Sequence, residues 1–94
     1  MSNVATRIYN NNLGSARTVS TGSMRVFLIT ITNTTNAVVD YEITDAAGNG
    51  VFNITVPADN THTIEISNGF IVQGMIVAAE AATSYVTVLY SADA

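Results

Sequence analysis

The chain has 94 residues, 48% of them apolar and only 11% charged, against about 25% charged in an average soluble domain. That length suits one domain with a single core, and the apolar content excludes a disordered tail. Arg7, Arg17 and Arg25 are the only Lys or Arg residues and all seven carboxylates lie from Asp40 onward, so most of the chain lacks the basic cluster that a nucleic-acid backbone demands.

Valine, isoleucine and threonine dominate, and their β-branched side chains fit a pleated surface better than a helix. The sequence predicts strands at Val4 to Tyr9, Met24 to Thr32, Val38 to Thr44, Val51 to Val56, Thr63 to Ile66, Phe70 to Ala79 and Tyr85 to Ser91, with a weaker segment at Arg17 to Ser20. Turn-like clusters separate them: Asn10 to Gly14, Thr21-Gly22, Asn33 to Asn36, Asp45 to Gly50, Pro57 to Asn60, Asn68-Gly69 and Ala81 to Ser84. The expected fold is all-β, a single antiparallel β-sandwich of about seven to eight strands, immunoglobulin-like or jelly-roll-like. Residues 23–94 would form the sandwich, and residues 1–22 an N-terminal arm or first hairpin.

Alternation selects the core face. Phe27, Ile29 and Ile31 are expected to point inward opposite Val26 and Leu28, as are Val39, Tyr41 and Ile43, then Phe52, Ile54 and Val56, then Ile64 and Ile66. The last strand is apolar on both faces, Tyr85, Thr87 and Leu89 alternating with Val86, Val88 and Tyr90. Apolar residues on an outward face mark protein contacts. Val26, Leu28, Met75 and Tyr85, together with the cations Arg7, Arg17 and Arg25, are therefore the candidate partner contacts, and the chain is expected to form a homo-oligomer.

Little in the sequence points to catalysis. There is one histidine, His62, and no cysteine, and no nucleophile elbow, phosphate loop or dinucleotide fingerprint occurs. The Asp and Asn residues of the two tight turns lack the ordered spacing of a calcium loop. No catalytic residue, cofactor or metal is expected, and the protein is not expected to be an enzyme. The longest apolar stretch, Phe70 to Ala82, is interrupted and shorter than the ~20 residues of a membrane-spanning helix. The first residues do not have the form of a secretory signal.

The run from Arg25 to Thr34, Val56-Pro57-Ala58, Asn68-Gly69-Phe70 with Gly74 to Val77, and Val86 to Ser91 together resemble the small β-sandwich virion structural proteins of tailed bacteriophages, over roughly residues 23–91. The resemblance implies a capsid decoration or cement subunit, dimeric or trimeric, on the outer surface of the virion, with the major capsid protein as its partner. The alternative is a tail, fibre or adhesin-like module recognising a host glycan or surface protein.

Overall fold

The computed structural model describes residues 6–80 and 83–92. Within them every regular element is a strand: β1 (Thr6–Asn12), β2 (Arg17–Asn33), β3 (Val39–Thr44), β4 (Gly50–Val56), β5 (Asn60–Val77) and β6 (Tyr85–Ala92). They form one antiparallel sheet in the order β1-β6-β2-β5-β3-β4, so the all-β antiparallel expectation holds.

Six strands stand where seven or eight were expected because two expected turns lie inside strands. Thr21-Gly22 sits within β2 and Asn68-Gly69 within β5, each at a shift of register. Glycine inside a strand commonly marks such a bulge, which bends the strand without ending it. The bends let β2 and β5 serve both halves of a rolled sheet. The first half of β5 pairs with Leu28–Asn33 of β2, whereas its second half pairs with the start of β2 and, at Ile76 and Val77, with β3.

The roll carries β3 and β4 over the inner face of β2 and β6. Tyr41 and Ile43 from β3, Ile54 and Val56 from β4, Ile29 and Ile31 from β2, and Val86 and Val88 from β6 join one buried cluster. Two polar groups fasten the halves. The buried Tyr41 hydroxyl hydrogen-bonds the Ser84 hydroxyl at 2.7 Å, and the Asn33 side chain at the end of β2 donates to the Val56 carbonyl at the end of β4 at 3.0 Å.

From Thr6 onward the N-terminal segment is not an arm. β1 pairs with β6 from Thr6 to Asn12 without a register shift, and Leu13 is completely buried. Nor do β1 and β2 form a hairpin, because β6 lies between them. The strand expected from Val4 is described from Thr6 and extends through the Asn10 to Asn12 cluster; Val4 lies outside the described residues, as do Ala81 and Ala82 of the last expected turn.

The β3–β4 turn is held by Asp45. Its Oδ1 accepts the backbone N–H groups of Ala47 and Asn49, both at 2.9 Å, and its Oδ2 accepts the Asn49 amide at 3.2 Å. These bonds, led by the Asn49 backbone, together outweigh the opposing effect of desolvation and hold its carboxyl below its ordinary value. A depressed folded-state pKa stabilises the fold above the unfolded value, and the effect disappears as pH falls through the folded value. Acid unfolding of the wild type is therefore expected to show a stability loss below about pH 4 that Asp45→Asn lacks; superimposable stability–pH curves for the two proteins would refute this.

Candidate docking surface

The geometry of the surface originates at Phe27. In the pairing with β6, Val26 faces Tyr90 and Leu28 faces Leu89, leaving Phe27 without a partner. In the pairing with β5, Val26 faces Phe70 and Leu28 faces Glu65, so Ile66 to Gly69 stand against Phe27 alone. A one-residue bulge reverses which alternate positions face the core. Met24 and Val26 are buried before it, Ile29 and Ile31 after it, while Phe27 and Leu28 are both half-buried.

Gly69 makes this bulge possible, with a positive φ of 78°. A Cβ there would collide with the aliphatic stem of Arg25, whose guanidinium donates to the Asn68 carbonyl at 2.9 Å. Arg25 therefore braces the bulge. Phe70 follows it and meets Phe52 edge-on, with ring centroids 5.8 Å apart.

Beyond the bulge, β1, β6, β2 and the first half of β5 lie side by side in matched rows. Ile8, Leu89, Leu28 and Glu65 form one row. Asn10, Thr87, Thr30 and Thr63 form the next, and Asn12, Tyr85, Thr32 and Thr61 the third. Thr30 and Thr63 hydrogen-bond through their hydroxyls at 3.1 Å, as do Thr32 and Thr61 at 3.2 Å. These rows belong to an outer face, and within them Glu65 is the only ionisable group apart from the Tyr85 phenol. An open cleft of about 350 Å³ lies at its bulged end, lined by Phe27, Leu28, Glu65, Ile66, Ser67 and Leu89. The outer face of β3 and β4 has the opposite character, with exposed Asp40 and Glu42 directly across from Thr55 and Asn53.

The candidate contact residues divide accordingly. Val26 and Met75 are fully buried and belong to the core, contrary to expectation: the Phe27 bulge turns Val26 inward, and Met75 follows the bend at Gly74. Leu28 lies on the outer face and Tyr85, 49% exposed, stands in its third row. Arg17 is held locally, donating to the Asn12 carbonyl at 2.8 Å and the Asn12 side chain at 2.7 Å. Arg7 is exposed on β1. Ile8, 72% exposed, and Leu89 were not anticipated, because only the strand order sets them beside Leu28.

No family model, curated protein or solved structure matches the chain. Among the described residues, no three His, Cys, Asp or Glu side chains are grouped to hold a metal ion, and no helix is long and apolar enough to cross a membrane.

Proposed function

We propose that the protein is a non-enzymatic structural subunit of a virion that decorates and reinforces the outer surface of the capsid shell. The observation that carries this reading is the chemical difference between its two outer faces. The β1-β6-β2-β5 face presents Ile8, Leu89 and Leu28 in a row above uncharged threonines, which suits a docking contact that need not desolvate many charges. The β3–β4 face, with Asp40 and Glu42, suits water. The resemblance to phage virion proteins supplies the partner, the major capsid protein.

Co-sedimentation with empty shells of the virus that encodes it tests the reading. The wild type is expected to saturate the shells. Ile8→Glu is expected to weaken binding about tenfold or more by placing a charge in the contact, while Asp40→Asn with Glu42→Gln leaves it unchanged. No sedimentation with shells, or binding to a host glycan instead, would refute capsid decoration.

A further inference from the structure

The face just described has two open sides. At one, β1 has β6 on its inner flank and no strand on the other. At the opposite side, Asn60 to Glu65 of β5 pairs with β2 alone, because β3 joins β5 only at Ile76 and Val77. Each edge therefore presents a row of backbone N–H and C=O groups with no strand among the described residues to receive them.

Exposed edges are ordinarily guarded by charged side chains, lysine above all, by proline or by a bulge. Along their regularly paired stretches these two carry one charge each, Arg7 on β1 and Glu65 on β5, and neither proline nor bulge. The chain contains no lysine and its single proline is Pro57; the β1–β6 register is uninterrupted, and the β2–β5 register runs unbroken from Leu28 to Asn33.

We propose that these edges join one another, β1 of one copy adding to the first half of β5 in the next, so that the four-stranded layer continues from copy to copy. The strand directions fit. Every neighbouring pair from β1 through β6 and β2 to β5 is antiparallel, and three reversals leave β1 antiparallel to β5. A copy displaced sideways thus meets the β5 edge in the same antiparallel sense that prevails inside the layer.

The side chains fit as well. Continuing the existing rows sets Ile8 of the next copy opposite Glu65, Tyr9 opposite Ile64, Asn10 opposite Thr63, Asn11 opposite His62 and Asn12 opposite Thr61. Outward positions then meet outward positions, as a common face requires. Tyr9 against Ile64 is a favourable aromatic and β-branched pair, and no like charges are opposed. The contact uses two different surfaces, so it closes into a ring or extends into a filament according to the rotation at each junction. It does not depend on capsid binding.

Proline variants test the junction in the full chain. Successive backbone N–H groups point to opposite sides of a strand, so in each adjacent pair of variants one removes an outward N–H and leaves the internal ladder intact. Asn10→Pro and Asn11→Pro probe β1, and His62→Pro and Thr63→Pro probe β5; in each pair the variant that retains the wild-type melting curve is carried forward. By light scattering after size-exclusion chromatography, the wild type at high micromolar concentration is expected to be larger than a dimer, and each folded edge variant a monomer. Mixing a β1 variant with a β5 variant leaves one good edge of each kind, so the mixture is expected to give a one-to-one dimer and nothing larger. A monomeric wild type, or a wild-type assembly that survives either edge variant, would overturn the proposal. So would a mixture that fails to pair.

Discussion

Replacing Asn33 by aspartate is expected to destabilise the protein by about 3 kcal/mol or more at neutral pH, a large part of the 5–15 kcal/mol that holds a typical domain together. Asn33 is 1% exposed. Its amide nitrogen donates to the carbonyls of Ala37 at 2.8 Å, Val56 at 3.0 Å and Pro57 at 3.1 Å, while its Oδ1 accepts the Thr35 N–H and hydroxyl at 2.9 and 2.7 Å. The substitution changes the shape hardly at all but turns a donor toward three carbonyl oxygens into an anion.

Burial and those oxygens would raise the folded-state pKa of the new carboxyl above its unfolded value. The neutral acid donates one bond and the carboxylate none, so the variant regains stability as pH falls and loses it as pH rises through the folded pKa. Urea unfolding at pH 4 and pH 7 checks this: the deficit relative to wild type should shrink at the lower pH. A variant matching wild type at both values would show that the Asn33 network does not fasten the end of β2 to the end of β4.

The second large effect is expected at Gly74. Its φ is 81°, a region that costs an L-residue ~1–2 kcal/mol, and a Cβ there would lie 2.6 Å from the Ala46 Cβ and 3.0 Å from the Ser20 carbonyl oxygen. The Ala46 N–H donates to the Gln73 carbonyl at 2.9 Å, so this close approach seats the β3–β4 turn on the bent pair β2–β5. Gly74→Ala is expected to cost about 3 kcal/mol through strain and collision together, and Gly74→Val to prevent folding. Adding Ala46→Gly to Gly74→Ala removes the Cβ–Cβ collision but neither the φ strain nor the contact with Ser20, so urea denaturation should show partial recovery. Full recovery, or none, would contradict the close approach as the origin of the cost.

The parts of the fold legible in the sequence are those fixed by neighbours along the chain. Tyr41 and Ile43, then Ile54 and Val56, alternate with polar residues and are buried as their periodicity requires. The Asp45 to Gly50 turn between them lies where its glycines and Asp45 place it. Alternation misleads at Val26, because one unpaired residue, Phe27, exchanges inside for outside, and the difference from an unbroken strand exists only in the pairing with β5 and β6. Thr21-Gly22 and Asn68-Gly69 misled for a related reason: the same glycines that turn a chain around also bend a strand that continues.

The candidate surface was legible only in fragments. Leu28 and Tyr85 stand out along the chain, but Ile8 acquires meaning from Leu89 beside it, and Leu89 from Leu28 beyond. By itself the sequence determined an all-β chain, poor in charge and with apolar positions beyond those an ordinary core absorbs, because composition and alternation are local properties. Which apolar residues face outward, which strands stand side by side and which edges stay open were decided by the tertiary structure alone. Bulges and strand order join residues tens of positions apart, and no local pattern encodes such a pairing.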